Sequence, residues 1–391
     1  MIKEFREQFN KDFSIEVYKK FLNSVWSITN DQADFRLCET PFFIDDSLNT
    51  ELKNACTEII DQLKNEKFKE YSKGGIPDQF NVNGEDKHPI FLQLDFGICK
   101  DENGKFVPKL IELQGFPSLY AFQAFLDQQI RAHFKIDSNL KTFFNDFSMS
   151  SYIDLFKKTV LGNSDPKNVI LLELDPHNQK TKIDFYLTQK YLGIELVCVK
   201  NIIQQGKNLF YKKNNEEIKI ERIYNRVIFD ELEKKNIKIP FDYKSDLDVY
   251  WVGHPNWFFK ISKHTLPFLK GNSVPECNFL SDVEIDKIDL SRFVLKPLYS
   301  FAGAGVLVDI AEDDVADIKD KHNYLLQEKV EYAPVIDTPT GFSKVEVRMM
   351  YIWNDEPILV NNLVRTSKGK MIGVDYNKDK DWIGASIGYH Y

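Results

Sequence analysis

Hydrophobic and polar residues alternate in two different ways along this chain. Up to about residue 72, apolar side chains recur at the three- and four-residue spacing of an amphipathic helix, as in Phe13, Val17 and Phe21. From Pro89 onward the pattern changes to short apolar runs separated by turn residues, which is typical of strands. We therefore predict a helical N-terminal region followed by mixed α/β structure.

The first predicted strands form a hairpin. Residues 90–98 and 108–114 are rich in apolar side chains and flank the sequence Asp-Glu-Asn-Gly at positions 101–104. An Asn-Gly turn between two such runs favours antiparallel pairing. Residues from the end of this hairpin to about 160 are expected to be helical.

The middle of the chain predicts a small α/β domain. Strands at 168–174 and 193–199 flank a helical segment, and this order is that of a βαβ unit. A second hairpin is expected to follow, with arms at 208–211 and 218–224. We assign this domain to residues 166–262, for which the resemblance described below implies a place on the substrate side of the molecule.

The last third returns to mixed structure. We expect strands and one short helix here, the helix at 312–320 and the strands at 293–297, 306–310, 323–330, 345–353 and 358–365. The chain is thus divided into three parts: 1–165, which is the helical region with the first hairpin; 166–262; and 263–391.

Composition supports a packed protein and excludes several classes. Hydrophobic residues make up 43% of the 391 residues and aromatics 14%, which is ample apolar material for folded cores. The formal charge of −8 has the wrong sign for a protein that coats nucleic acid. No signal peptide and no run of about 18 apolar residues is present, so we expect a cytoplasmic protein without a membrane partner. The five cysteines are scattered, and we interpret them as reduced core residues.

A lysine and a small-residue loop form the first candidate site. Lys296 ends a predicted strand, and Ser300, Gly303, Ala304 and Gly305 follow it. Glycines allow backbone N–H groups to approach phosphate oxygens, and the ammonium neutralises their charge. The spacing is not that of a Walker-type loop. A plain hairpin turn with a solvated lysine is the alternative.

Three oxygen donors on the first hairpin form the second candidate site. Glu112 and Gln114 are two positions apart on one strand and share a face, and pairing can bring Asp95 beside them. Carboxylates among apolar neighbours need a compensating cation, and Mg²⁺ held by carboxylates and substrate phosphates fits. The alternative is a hairpin whose polar face is simply wet.

Two arginines on the closing strands form the third candidate. Arg348 and Arg365 could stabilise charge that develops on a transferring phosphoryl group. Glu346 shares a face with Arg348, so a structural ion pair is the alternative.

Together these residues resemble the ATP-grasp superfamily. Four segments occur in the order of its ATP-binding motifs: Ile261–Thr265 with Lys263, the strand and loop of Lys296, Leu326–Val330, and Val345–Arg348. The magnesium motif, usually last, is found at the front of this chain, around Asp95 and Glu112. That rearrangement resembles the circularly permuted ATP-grasp proteins related to glutathionylspermidine synthetase, without their amidase domain.

The resemblance implies roles for these residues. Lys263 and Lys296 would bind the ATP phosphates beneath the loop, and Gln327, Glu328 and Val330 would line the adenine. Asp95, Glu112 and Gln114 would hold Mg²⁺, with Gln114 standing where asparagine is usual. Substrate contacts would come from Asn178, Lys180 and Arg226.

The resemblance also implies a reaction: ATP-dependent ligation of a small-molecule carboxylate to an amine through an acyl phosphate. Two alternatives stay open, a small-molecule phosphotransferase and a catalytically inactive nucleotide-binding protein. The sequence identifies neither substrate and leaves the oligomeric state open.

The resemblance leads to one geometric expectation. If the carboxylates and the arginines serve the same phosphates, the hairpin at 90–114 must lie in one sheet with the strands at 345–353 and 358–366, although more than 200 positions separate them.

Overall fold

The protein is described here by a computed structural model that covers residues 1–300, 305–369, 372, 377 and 379–391. The predicted loop residues Gly303 and Ala304 lie outside the described residues. The helices are α1 (Lys3–Asp12), α2 (Ile15–Trp26), α3 (Asp46–Leu63), α4 (Glu66–Lys73), α5 (Tyr120–His133), α6 (Met149–Leu161), α7 (Lys182–Leu192), α8 (Phe229–Lys234), α9 (Pro255–Lys260) and α10 (Glu312–Ala316).

The strands found in the described residues belong to five sheets. They are β1 (Phe42–Phe43), β2 (Phe91–Lys100), β3 (Phe106–Gln114), β4 (Val169–Glu173), β5 (Glu195–Cys198), β6 (Ile203–Gln205), β7 (Asn208–Lys213), β8 (Glu216–Ile220), β9 (Arg222–Asn225), β10 (Tyr250–Val252), β11 (Cys277–Phe279), β12 (Phe293–Pro297), β13 (Tyr324–Glu328), β14 (Ile336–Thr338), β15 (Gly341–Trp353), β16 (Pro357–Ser367), β17 (Gly384–Ser386) and β18 (Gly388–Tyr389).

The largest sheet joins the first hairpin to the closing strands. Its order is β17-β16-β15-β2-β3, with β14 paired to β15, and all the pairs are antiparallel. Strand β2 is buried along nearly its whole length because both faces of this sheet are covered. The geometric expectation is confirmed, since β2 pairs directly with β15 and places Arg348 opposite Asp95.

The βαβ unit is also confirmed, in a parallel sheet of order β10-β9-β4-β5. Helix α7 connects β4 to β5, as the alternation of patterns predicts. The second hairpin is shorter than expected. Its predicted arm at 218–224 is two strands, of which β8 pairs with β7 and β9 pairs with β4 in the parallel sheet.

The three-stranded sheet has the order β11-β13-β12. The prediction of a strand at 306–310 is wrong, because this segment makes only a single bridge, from Leu307 to Leu295. The helix predicted at 312–320 ends at Ala316. Strand β13 pairs along one edge of β12, and the bridge of Leu307 lies on the other edge.

The N-terminal region packs into the rest of the molecule. Side chains of α1 and α2 share one core with α5, α6, α7 and the parallel sheet, and this core includes the fully buried rings of Phe122, Tyr152 and Phe156. Strand β1 pairs in parallel with β18 near the chain's C-terminus. Helices α1 and α2 thus belong to this core, whereas α3 and α4 pack in a second core with the largest sheet.

Two findings bear on expectations of cell biology and redox chemistry. Within the described residues, no helix is both long and apolar enough to cross a membrane. All five cysteines are free, and only Cys198 is not fully buried. Burial raises the pKa of Cys56, Cys99 and Cys277 to about 12, which keeps these thiols protonated and poorly nucleophilic.

We expect Gly115→Ala to destabilise the protein by about 1–3 kcal/mol, the usual cost of overpacking. The N–H of Gly115 donates to the Ile261 carbonyl at 3.0 Å, and a Cβ here would lie 2.6 Å from the Trp257 carbonyl oxygen. Gly74→Ala is the matched control, since its Cβ would meet nothing closer than 3.4 Å and its φ of −64° suits any residue. Chemical denaturation of both variants measures the difference. Equal stability of the two would contradict the close approach at Gly115.

Candidate active site

A buried ion cluster lies on the largest sheet, where β2, β15 and β16 run side by side. Arg348 donates from Nε and Nη2 to the two carboxylate oxygens of Asp95, each at 2.6 Å. Its Nη1 donates to Gln93 at 3.0 Å. Arg365 donates to both Asp95 and Glu346. Cross-strand register produces this arrangement, because Arg348 lies opposite Asp95 and Arg365 lies opposite Glu346.

Burial and ion pairing act against each other in this cluster. Burial by itself raises the pKa of Asp95, but the guanidiniums of Arg348 and Arg365 lower it more, so the pKa lies below its ordinary value. Burial raises the pKa of Glu346 above its usual range despite the neighbouring Arg365. The hydroxyl of Tyr332 donates to Glu346 at 3.0 Å. The cluster therefore keeps Asp95 ionised and leaves Glu346 as the group most ready to take a proton.

Lys296 reaches from the three-stranded sheet to the first hairpin. Its ammonium donates to the side-chain oxygen of Gln327 at 2.5 Å and to the Ile111 carbonyl at 3.2 Å. Gln327 in turn donates to the Leu110 carbonyl at 3.1 Å. Burial lowers the pKa of Lys296, while the charge of Glu112 acts in the opposite direction. The predicted phosphate lysine thus lies beside the strand that carries the predicted metal ligands.

Lys263 is the second buried lysine of the site. It begins the 3₁₀-helix Lys263–Phe268, and its ammonium donates to the backbone carbonyl and the hydroxyl of Ser300, at 2.6 and 2.9 Å. Burial lowers the pKa of Lys263 to about 8, with Glu112 raising it and Lys296 lowering it. Ser300 begins the predicted phosphate loop, so both lysines converge on its base.

The predicted magnesium ligands differ in their readiness to bind a cation. Asp95 is 1% exposed, and both of its oxygens accept from arginines. Glu112 is 26% exposed at its side chain and accepts from the Gln114 amide at 2.9 Å. Its nearest arginine, Arg348, is 3.8 Å away. Glu112 and Gln114 therefore fit a cation that also contacts a bound phosphate, whereas Asp95 would first have to exchange an arginine.

No preformed metal centre accompanies these residues. Over the described part of the chain, no group of three or more His, Cys, Asp and Glu side chains is placed to hold a metal ion. Glu112 and Gln114 offer one carboxylate and one amide oxygen, so phosphate oxygens and water would have to complete the octahedral coordination of Mg²⁺.

The predicted adenine residues lie at the far end of β13. The side chain of Glu328 accepts from Arg292 at 3.0 Å and so faces away from Gln327, which contacts Lys296. A methyl group of Val330 lies close to Gly97, since a Cβ added to Gly97 would be 3.1 Å from that methyl carbon. Backbone groups from 327 to 330 thus border the large sheet.

Arg226, one of the predicted substrate residues, has buried guanidinium nitrogens that make no hydrogen bond to the described residues. It follows β9, is 6% exposed, and its guanidinium lies over the rings of Phe116 and Phe185, at 4.8 and 5.4 Å. Its Nε and Nη1, and the Nδ2 of Asn225, have no hydrogen-bond partner among the described residues. Buried guanidinium nitrogens without hydrogen-bond partners are costly, so this position suits a ligand that accepts hydrogen bonds from them.

Asn178 and Lys180 lie at the surface, after the carboxyl end of β4. The amide of Asn178 donates to Asp175 at 2.9 Å within its own turn. The structure does not bring these two residues into contact with the lysines or the arginines of the site.

Sequence reasoning missed other polar residues around this site. Gln93 shares a face with Asp95 two positions away and orients Arg348, a spacing that period-two alternation could have revealed. Asp184 is fully buried and accepts the N–H groups of Leu119 and Phe122 at the start of α5. Burial raises the pKa of Asp184, and that of Glu173 to about 7, near Arg226. Nothing in the local sequence marks these two carboxylates.

Comparison with known proteins yields a match among solved structures. No protein-family model matches the sequence, and no curated protein sequence does. The solved structure of a glutathione synthetase-like effector from Globodera pallida, in its apo form, superposes with a TM-score of 0.58 at 9% identity. The match covers 97% of this chain and 98% of that one.

The two chains share a fold. The mixed α/β architecture of this chain is thus similar to that of the glutathione synthetase-like effector, and it is consistent with the predicted ATP-grasp-like fold. At this identity the likeness is evidence for the fold alone.

We expect Asp95→Asn to destabilise the protein by about 3–5 kcal/mol at neutral pH, because two arginines would lose their buried counter-charge. Since its folded pKa is lowered, the stability from Asp95 is present above the unfolded value of about 3.9 and is lost as the pH falls below it. Denaturation measured from pH 7 to pH 3 should therefore show the two proteins converging. Asp101→Asn, in the exposed turn of the same hairpin, is the control. A constant difference across this range would contradict the lowered pKa.

Proposed function

We propose that this chain is an ATP- and Mg²⁺-dependent ligase that joins a small-molecule carboxylate to an amine. The observation that carries the proposal is the placement of two buried lysines beside β3, the strand that bears Glu112. Lys296 donates to the Ile111 carbonyl of β3, and the charge of Glu112 acts on the pKa of Lys263, which donates to Ser300. Buried ammonium groups without carboxylate partners at contact distance suit the phosphates of a nucleotide. The shared fold supports a ligase of the ATP-grasp type.

In the proposed reaction a carboxylate oxygen of the acid substrate attacks the γ-phosphorus of ATP, and the bond to the β-phosphate oxygen breaks to release ADP. The amine nitrogen then bonds to the carbonyl carbon of the acyl phosphate. Orthophosphate leaves with the electron pair of the C–O bond, and the proton of the amine passes to solvent. When bound, Mg²⁺ would neutralise phosphate charge, with Glu112 and Gln114 as its protein ligands.

This chain's own residues would position and stabilise the reactants. Lys263 and Lys296 would hold the phosphates, and Arg365 would stabilise charge on the transferring phosphoryl group. Arg226 would bind the acid substrate, since two of its guanidinium nitrogens have no hydrogen-bond partner among the described residues and the group adjoins Phe116, two positions after Gln114. The three-part division of the chain at 165 and 262, and the circular permutation, stay part of this proposal.

One observation favours a second candidate, a catalytically inactive nucleotide-binding protein. Both Arg348 and Arg365 donate to Asp95, so its oxygens are not free to bind a metal. The amide nitrogen of Gln114 donates to Glu112, although a metal at this position would need the amide oxygen of Gln114 instead. Products distinguish the candidates: ADP with orthophosphate marks a ligase, ADP with a phosphorylated substrate marks a phosphotransferase, and nucleotide binding without turnover marks the inactive protein.

We expect Lys296→Met to abolish ATP turnover and leave the fold intact, because this ammonium contributes charge to the site more than packing to the core. Release of ADP measures turnover, and circular dichroism measures folding. Lys287→Met is the matched control. Lys287 also lies in the 263–391 part of the chain, but it is exposed and paired with Glu284 at 2.6 Å. An unfolded variant, or full turnover per folded molecule, would assign Lys296 to structure.

We expect ATP to bind only weakly without a divalent cation, since Glu112 would otherwise face the phosphates as a bare negative charge. Calorimetric titration with Mg²⁺ and with EDTA measures the difference. Glu112→Gln should reduce the dependence on Mg²⁺, whereas Glu102→Gln in the exposed hairpin turn should leave it unchanged. Equal affinity in EDTA would remove the metal role from Glu112.

A further inference from the structure

A cavity of about 890 Å³ lies outside the site described above. It is enclosed by α8, the segment that follows α4, and the ends of β11 and β12. Its apolar wall is mainly aromatic, with Phe80, Phe259, Phe279 and Tyr299. This volume is within the range of pockets that hold small molecules.

The cavity adjoins the phosphate end of the proposed ATP site. Strand β12 pairs with β13 so that Phe293 lies opposite Glu328 and Pro297 opposite Tyr324. Leu298 and Asn323, which line the cavity, therefore lie at the opposite end of this sheet from the predicted adenine residues.

Two residues of the cavity wall lie beside the contact of Lys263 with Ser300. Tyr299, in its wall, precedes Ser300, the partner of Lys263. The ammonium of Lys234, also in the wall, donates to the Tyr299 carbonyl at 3.2 Å. The charges of both Lys234 and Glu112 act on the pKa of Lys263. Lys263 thus lies between the cavity and the metal-binding strand.

The polar wall of the cavity carries more negative than positive charge. Asp230 is 3% exposed, and only its Oδ2 is paired, with Lys234 at 2.9 Å. Its Oδ1 has no hydrogen-bond partner among the described residues. Glu233 adds an exposed carboxylate. Because burial lowers the pKa of His264 to about 4, this ring is neutral, and His322 is paired with Asp320 at 2.8 Å. A buried carboxylate oxygen without a donor favours a ligand that supplies one.

We propose that this cavity binds the amine substrate, as an ammonium paired with Asp230 and Glu233 and with an apolar body against the aromatic wall. The proposal rests on the proposed ligase function. A cation held over Phe and Tyr rings gains further attraction from their faces. Before it attacks the acyl phosphate the ammonium would have to lose one proton, which the exposed Glu233 carboxylate can accept and pass to solvent. The resulting neutral amine would approach the acyl phosphate past Lys263, on the side opposite to the nucleotide base.

The test is direct binding of a probe amine. Phenethylamine, which has a primary ammonium and an apolar ring, is titrated against the full chain by calorimetry, with 2-phenylethanol as the uncharged analogue. We expect phenethylamine to bind in preference to the alcohol. Asp230→Asn and Glu233→Gln should each weaken its binding about tenfold, the effect of losing one charge-assisted hydrogen bond. Glu231→Gln is the matched control, because Glu231 is on the same helix but pairs with Lys235 at 2.7 Å.

Each outcome has one meaning. Equal binding of the alcohol and the amine, or full affinity in both Asp230→Asn and Glu233→Gln, would overturn the proposal; Glu233 is exposed, so its variant stays informative if the buried substitution unfolds the protein. Lys263→Met separates this site from the ATP site, because it should weaken ATP binding without weakening phenethylamine binding. If the wild-type chain binds phenethylamine but no ATP, the ligase function fails and the ammonium site stands.

Discussion

The pairing of β2 with β15 is the constraint on which the rest of the structure depends, and a buried ion cluster fixes it. Asp95 and Arg348 are joined by two hydrogen bonds of 2.6 Å across 253 positions of sequence. Removing such charges from water costs about as much as their attraction returns, so the cluster adds little net stability. Its effect is on register, because a slip by one residue would turn Asp95 and Arg348 to opposite faces and leave both unpaired. The hairpin is therefore held where the closing strands need it.

The site between the two sheets follows from this placement. With β3 fixed beside β2, the carbonyls of Leu110 and Ile111 are presented to the three-stranded sheet, and Gln327 and Lys296 bond to them. These two contacts set how closely Lys296 approaches the face that carries Glu112. Both involve a side chain of one sheet and the backbone of another, so they tolerate changes in neighbouring side chains but not a shift of the strand.

The sequence predicts strands better than it predicts their partners. The apolar runs of β2, β4, β15 and β16 predict these strands correctly because the strands are buried on both faces. The segment 306–310 is also mostly apolar, yet it forms a single bridge, from Leu307 to the edge of β12 that lies away from β13. Likewise the run at 218–224 is continuous in pattern but divided between two sheets. The sequence also cannot predict that two arginines donate to Asp95, because these hydrogen bonds depend on cross-strand register.

The two arginines differ in a way that bears on catalysis. The side chain of Arg348 is 6% exposed and bonds to Asp95 and Gln93, whereas that of Arg365 is 35% exposed and is shared between Asp95 and Glu346. A phosphate anion can compete for Arg365 from solvent, but it would have to displace buried partners to reach Arg348. Glu346, whose pKa is raised, can take up a proton if Arg365 turns away, which lowers the cost of that exchange. We therefore infer that Arg365 acts on the phosphoryl group and that Arg348 keeps Asp95 and the register in place.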